Sequence, residues 1–180
     1  ILEDAYSIIP KKDRPRIHLE TGRHLVEHLS PAEIESNLFN IVEHLNRGLV
    51  LVRQKNETDK IRDLNLKAAQ KALNSSAYKN AGYYFAQARE LMPKESWDKD
   101  YQGTLAFYSQ WAEAEYMSSN FKEAETLFQL ILDHAQTLLD KSLIYQMILV
   151  YFENQKRFRE AVDLSVTILN ELSIDFPHPR

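Results

Sequence analysis

The sequence predicts an all-α fold in which antiparallel helix hairpins stack side by side. Apolar residues recur at i, i+3, i+4 and i+7, the period of an amphipathic helix, most plainly from Leu38 to Leu49. The chain has only 4 glycines and 6 prolines, and most of the prolines fall between the periodic segments, where helices begin or end. No alternating apolar segments flank an Asn-Gly or Asp-Gly pair, so no β-hairpin is predicted.

The same signals define the individual helices in chain order. We predict them over residues 2–9, 11–29, 31–52, 57–75, 78–92, 97–118, 121–136, 138–155 and 158–173. Ser30 begins the third helix as an N-cap, with Pro31 in the first helical position and Glu33 placed to close a capping box. Asn120 is expected to cap the seventh helix by accepting a hydrogen bond from a backbone N–H of its first turn. Because the connections are short, neighbouring helices should lie antiparallel.

The composition excludes several classes of function. The 180 residues include 22 Lys and Arg against 26 Asp and Glu, and this net charge of −4 does not support a nucleic-acid-binding surface. The chain has no cysteine, which excludes disulfides, thiolate zinc sites and catalytic thiols. The longest mostly apolar stretch, residues 143–152, is too short to cross a bilayer. We therefore expect a cytoplasmic protein that contacts neither nucleic acid nor membrane.

Three of the predicted helices open on one shared pattern, an aromatic residue followed three positions later by alanine. The three copies read Tyr78-Lys79-Asn80-Ala81, Phe121-Lys122-Glu123-Ala124 and Phe158-Arg159-Glu160-Ala161. The alanines are separated by 43 and 37 residues. A small residue at this position lets the two helices of a hairpin approach closely, and the aromatic side chain fills the groove between hairpins. Each hairpin leaves apolar surface that a neighbouring hairpin must cover.

These residues resemble the second helix of a tetratricopeptide repeat. The first copy matches at Tyr78, Ala81, Phe85, Ala88 and Pro93, with the small residue Ala69 twelve positions before the alanine. The later copies depart from the pattern at Ile131, Gln136, Leu149 and Ser165, and their spacing exceeds the usual 34 residues. The resemblance covers residues 57–175. It implies a right-handed α-solenoid with three tetratricopeptide-like hairpins in residues 57–176, preceded by one more hairpin in residues 11–56. The alternative is an unrelated helical bundle.

A second resemblance spans nearly the whole chain. It is carried by the runs Asp4–Pro10, Leu19–Arg23, Phe39–Gly48 and Ala114–Phe121. These runs are similar to the segment that follows the ATPase module in very large bacterial signalling proteins of the two-component type. In that family a serine/threonine-kinase-like domain and an AAA/STAND-type ATPase precede a helical-repeat arm, and sensor domains and a histidine kinase follow it.

The second resemblance also implies a role for each part of the chain. Residues 1–10 would be the last helix of the ATPase's winged-helix module, and the rest would begin the arm. The family's catalytic motifs do not fall within this stretch. We therefore expect a non-catalytic interaction segment that relays or restrains the upstream ATPase through contacts with protein partners.

No catalytic, cofactor or metal site is predicted. The four glycines are isolated, so they form no phosphate-binding loop. His24 and His28 stand four residues apart on one predicted helix, a spacing that can hold zinc, and His44 follows on the next helix. The further ligands and supporting residues that a zinc site requires cannot be named. His28 also lacks the His-Glu-x-x-x-Pro pattern of a phosphoacceptor histidine. A small-ligand or metal sensor that uses these three histidines between helices is the alternative function.

The concave face of the solenoid is the expected protein-binding surface, because the first helix of each hairpin lines it. Projection of the repeat register places twelve residues there: Asp63, Lys67, Gln70, Asn74, Ser109, Glu113, Tyr116, Met117, Gln146, Val150, Glu153 and Asn154. The set is polar and leans acidic, with Tyr116 and Met117 as apolar anchors. Leu66 and Gln70 occupy positions where carboxylate-gripping tetratricopeptide domains carry lysine or asparagine, so the resemblance argues against that mode. The alternative is an ordinary solvated helix surface.

The first predicted helix is too apolar to stand alone, since six of its residues from Ile1 to Ile9 are apolar or aromatic. The chain opens on Ile1 without a signal peptide, and we expect it to be an internal segment of a longer protein. We predict that this helix folds back onto the first hairpin or pairs with a second molecule as a homodimer. Light scattering and thermal melting with and without residues 1–10 test this. An identical monomer with unchanged melting temperature contradicts it.

Overall fold

The computed structural model describes residues 9–174, and within that range it contains ten α-helices and no β-strand. The helices are α1 (Arg14–His28), α2 (Pro31–Ser36), α3 (Leu38–Gly48), α4 (Lys55–Asn74), α5 (Tyr78–Glu90), α6 (Ser96–Lys99), α7 (Tyr101–Met117), α8 (Phe121–His134), α9 (Leu138–Asn154) and α10 (Phe158–Glu171). A 3-10 turn, Leu49–Leu51, follows α3. The predicted all-α class is confirmed. The predicted helix over residues 2–9 lies, apart from Ile9, outside the described residues.

The chain divides into two compact units whose boundary falls between Pro93 and Lys94. In the first unit α1 packs on α3, α3 on α4, and α4 on α5. In the second unit α7 packs on α8, and α9 packs on α7, α8 and α10. Each unit therefore consists of two successive hairpins. Leu19, Ile41, Leu45 and Ile61 form a buried apolar cluster in the first unit.

Glycines let the helices of the first hairpin, α1 and α3, approach closely. A Cβ atom added to Gly48 would lie 2.5 Å from Leu19 Cβ, and one added to Gly22 would lie 2.7 Å from Leu45 Cδ2. Both separations are too short for non-bonded carbon atoms, so a larger residue would push the helices apart. These contacts place the end of α3 beside the first half of α1, which makes the pair antiparallel.

Single polar side chains break two of the helices that the sequence predicts as continuous. The helix expected over residues 31–52 is interrupted at Asn37, whose Nδ2 donates to the Glu33 carbonyl at 2.8 Å while its backbone leaves the helical range. The helix expected over residues 97–118 is interrupted at Asp100, which adopts φ −146° and accepts a hydrogen bond from Gly103 N at 3.0 Å. Asp100 thereby caps α7.

The two predicted N-caps have different outcomes. The capping box at Ser30 is confirmed, because Ser30 Oγ accepts from Glu33 N and Ser30 N donates to Glu33 Oε2 at 2.8 Å. The predicted cap at Asn120 is wrong. Its side chain makes no capping bond to α8 and instead donates to the buried Glu115 carboxylate at 2.6 Å. Satisfying a buried carboxylate outweighs a cap on solvated N–H groups.

The three hairpins from α4 to α10 turn through the same backbone geometry. One residue in each turn adopts the left-handed conformation: Ser76, Ser119 and Lys156, with φ of 56°, 64° and 57°. The following residue donates its N–H to the carbonyl five positions earlier, in the bonds Ala77 to Ala72 (2.8 Å), Asn120 to Glu115 (2.9 Å) and Arg157 to Phe152 (2.8 Å). This is the Schellman arrangement, which satisfies the last carbonyls of a helix. The aromatic residue of the sequence repeat comes directly after each turn.

The alanines of the repeat lie at or near the interface within each hairpin. Ala81 and Ala124 are fully buried, whereas Ala161, like the rest of α10, is not buried. On the facing side of the α4–α5 hairpin, Ala69 and Ala72 are also fully buried. Small side chains on both helices allow close packing of the pair.

A pair of asparagines joins α3 to α4 in the interior of the first unit. Asn65 is fully buried, and it exchanges two hydrogen bonds of 2.8 Å with Asn46. We predict that Asn65→Ala destabilises the protein by about 1–3 kcal/mol, because it removes both hydrogen bonds between Asn65 and Asn46. Asn74→Ala, on the exposed face of the same helix, is the control and should change stability by less than about 0.5 kcal/mol. Urea unfolding followed by circular dichroism measures both, and equal midpoints would contradict the assigned role of Asn65.

Candidate functional site

A groove of about 810 Å³ lies between α7 and α9 in the second unit. Five of the residues that the sequence predicts for partner binding line it: Ser109, Glu113, Tyr116, Gln146 and Val150. Of the nine other lining residues, five are apolar, namely Leu105, Ala106, Leu139, Leu143 and Met147, and four are polar, namely Gln102, Gln110, Asp140 and Ser142. The groove therefore combines apolar side chains with polar groups, as ligand and protein-binding sites do.

Large apolar side chains on α9 are exposed to solvent in this groove. Leu139 is 80% exposed, Leu143 64% and Val150 42%. Their spacing of four and seven residues places them along one side of the helix. Single exposed apolar residues are ordinary on protein surfaces. Three of them on one helix, beside a concavity, form a contiguous patch of the kind that partners cover.

Two polar contacts fix the ends of the groove. At one end, Tyr101 OH donates to Asp140 Oδ2 at 2.9 Å and accepts from Gln136 N at 2.9 Å. At the other end, Asn154 Nδ2 donates to Tyr116 OH at 2.8 Å. The first contact joins the start of α7 to the start of α9, and the second joins their C-terminal ends. The two helices therefore run parallel along the groove.

The charge along the groove is negative. Among its lining residues only Glu113 and Asp140 are charged. Hydrogen bonds from Thr137 and Tyr101 lower the pKa of Asp140, because they stabilise its ionised form. Lys141, the next residue of α9, is drawn away to an ion pair with Glu171 at 3.0 Å.

The remaining predicted binding residues lie elsewhere. Met117 and Glu153 are exposed but do not line the groove, and Asn154 contacts it only through Tyr116 at its end. Four more are exposed on α4 in the first unit: Asp63, Lys67, Gln70 and Asn74. That these residues share one partner surface with the groove stays a prediction.

Sequence reasoning missed the most exposed apolar residues of the groove, Leu139 and Leu143. The signal that points to them is the composition of α9, which carries apolar residues on every side of the helix. A helix of this kind needs cover on more than one face.

The histidines form two separate pairs in the first unit. His18 Nδ1 lies 2.9 Å from His44 Nδ1, and His18 is buried. The His24 and His28 rings stack with their centroids 4.0 Å apart on exposed surface. His44 therefore contacts a histidine that the sequence did not single out. Within residues 9–174, no group of three or more histidines and carboxylates has an arrangement that could hold a metal ion.

A second, smaller cavity of about 390 Å³ lies in the first unit beside the start of α4. Its lining includes both partners of an ion pair, in which Arg23 donates to the two oxygens of Glu57 at 2.6 and 2.8 Å. Because these charges neutralise each other, the cavity favours neither an anion nor a cation.

The chain is similar to the hybrid signal transduction histidine kinase G of Dictyostelium discoideum. The two share 24% identity over 198 residues, which cover 97% of this chain and 6% of the length of that protein. This similarity links the chain to signal-transduction proteins. No family model and no solved structure matches the chain. In residues 9–174 no helix has both the length and the apolar character needed to span a membrane.

The His18–His44 pair makes stability depend on pH. Burial and the neighbouring His44 lower the pKa of His18, with smaller effects from Arg47 and Arg14, and Glu43 opposes them. Burial and Arg47 lower the pKa of His44, and Glu43 again opposes. Below about pH 6.5 the unfolded histidines therefore bind more protons than the folded ones. We predict that the stability from this pair is present above that pH and is lost as the pH falls below it.

Thermal melting between about pH 5 and 7.5 measures this effect, since that range spans the unfolded pKa. Replacing one partner, in His44→Gln, should flatten the fall in melting temperature at acid pH. His28→Gln, which removes an exposed histidine, is the matched control and should keep the wild-type profile. Identical profiles for the two variants would contradict the prediction.

Proposed function

We propose that this chain is a non-catalytic interaction segment of a signal-transduction histidine kinase of the two-component type. In this proposal it is a right-handed α-solenoid of tetratricopeptide-like hairpins that acts in the cytoplasm. It relays or restrains an upstream ATPase through protein–protein contacts. The parent's catalytic and nucleotide-binding residues lie outside these residues, as the sequence resemblance implies. The observation that carries the proposal is the groove between α7 and α9, with its exposed Leu139 and Leu143.

The repeated local geometry supports the tetratricopeptide-like part of the proposal. Three successive hairpins share one turn conformation, followed in each case by the aromatic residue of the repeat. Within the second unit, the first helices of two successive hairpins lie parallel and enclose a groove. Repeat proteins bind partners along surfaces of this type. The similarity to a hybrid signal transduction histidine kinase supports the signalling context.

The mechanism follows from linkage. A partner that occupies the groove shifts the ATPase between two states only if the partner binds the groove more tightly in one state than in the other. The segment therefore needs no chemistry of its own. Its effect is set by the difference between the affinities of the groove for the partner in the two states.

Photo-crosslinking in the full-length parent tests the proposed contact. A benzophenone amino acid at Ser109, inside the groove, should cross-link to another domain of the parent or to a signalling partner. The same probe at Thr126, which is exposed on α8 outside the groove, is the control and should give little product.

The activity of the parent provides the second measurement. Leu143→Glu should change the parent's ATPase or kinase rate severalfold, because it puts a charge into the contact that the partner buries. Val50→Glu replaces a side chain of similar exposure in the first unit, 66% against 64%, and should leave the rates unchanged. Equal labelling from both probe positions together with equal rates would overturn the proposed function.

A further inference from the structure

We infer that the groove between α7 and α9 receives a cationic amphipathic helix of the protein partner. This inference rests on the proposed function and names the chemistry of the partner. It is carried by the spacing of the exposed apolar residues, by the length of the groove and by the sign of its charge.

The apolar contacts of the groove match the repeat of a helix. Leu139 and Leu143 are four residues apart on α9, and Val150 follows seven residues later. Along the axis of α9 the first two residues are about 6 Å apart and the last two about 10 Å apart. Positions i, i+4 and i+11 of a second helix lying alongside have the same two intervals. A ligand helix with a leucine-type stripe can therefore cover all three.

The length of the groove also suits a helix. The contacts that close its ends, Tyr101 with Asp140 and Tyr116 with Asn154, are 15 residues apart on α7. This corresponds to about 22 Å, the length of a helix of about 15 residues. A helix brings its backbone hydrogen bonds with it, so apolar side chains alone can make its contacts with the groove.

The charge of the groove selects a cationic helix. Glu113 and Asp140 are the charged residues in its lining, and Glu113 forms no ion pair with the residues that the structure describes. Asp140 lies level with Tyr101, so Glu113 stands 12 residues further along α7. A partner helix should therefore carry two Lys or Arg residues about 18 Å apart, at the two ends of its apolar stripe. An acidic helix would meet like charges at both ends.

A synthetic peptide of about 18 residues tests the inference, a length that covers the groove. It carries leucines at i, i+4 and i+11 and one lysine near each end of that stripe. Fluorescence anisotropy with the full chain should show saturable binding. A peptide with both lysines changed to glutamate, and a scrambled peptide of the same composition without the stripe, should each bind at least about tenfold more weakly.

Two variants separate groove binding from general attraction to an acidic protein. Leu143→Glu adds negative charge, so general attraction would strengthen binding of the cationic peptide, whereas loss of the groove contact weakens it at least about tenfold. Val50→Glu adds the same charge to the first unit and should leave the affinity unchanged. Glu113→Lys should weaken binding of the cationic peptide and strengthen binding of the acidic one. Circular dichroism checks that the variants fold.

Equal binding of the three peptides, or tighter binding by Leu143→Glu, would overturn the inference. Self-association of the chain that Leu143→Glu abolishes, without peptide binding, would also overturn it by assigning the groove to a second copy. The proposed function is judged by cross-linking and activity in the parent. The proposed function survives if Ser109 cross-links to a surface that is not a cationic helix. It fails if the parent shows neither preferential cross-linking from Ser109 nor a changed rate in Leu143→Glu, whatever the peptides do.

Discussion

Close approach of paired helices is the constraint on which the rest of the structure depends. In the first hairpin, the space available at Gly22 and Gly48 excludes even a methyl group. In the later hairpins, alanines such as Ala81 and Ala124 occupy the equivalent interfaces without exposure. In these later hairpins a Schellman turn with one left-handed residue reverses the chain within about three residues. The first hairpin instead reverses through the short helix α2, so close packing does not depend on one type of turn.

The groove results from the placement of polar contacts at the ends of α7 and α9 and of apolar side chains between them. Two hydrogen-bonded contacts, Tyr101 with Asp140 and Tyr116 with Asn154, hold the ends of α7 and α9 at a fixed spacing. Between them the lining is largely apolar, with Leu143 left open to solvent. The polar contacts are directional and set the geometry. The apolar surface is non-directional and supplies a favourable free energy when a partner covers it.

The sequence predicts the parts of this structure that repeat and misses the parts that depend on one side chain. Periodicity and small residues are properties of many positions, so the helices and hairpins could be predicted. The breaks at Asn37 and Asp100 each depend on a single local hydrogen bond. The His18–His44 contact joins residues 26 positions apart in the chain, and no local pattern encodes such a pair. Projection of the repeat register identified Ser109, Glu113 and Gln146 in the groove, but it did not select Leu139 or Leu143.

The relative size of the apolar and the electrostatic contributions to binding determines how the groove would discriminate between partners. Burial of a leucine side chain contributes about 1.5–3 kcal/mol, whereas a solvent-exposed ion pair of the kind that Glu113 could form contributes less than about 1 kcal/mol. Affinity must therefore come mainly from Leu139, Leu143 and Val150, and the acidic residues act by excluding partners of the wrong charge. Ordering a partner helix offsets part of the apolar gain. In the proposed relay this offset favours a reversible contact, which switching between two states requires.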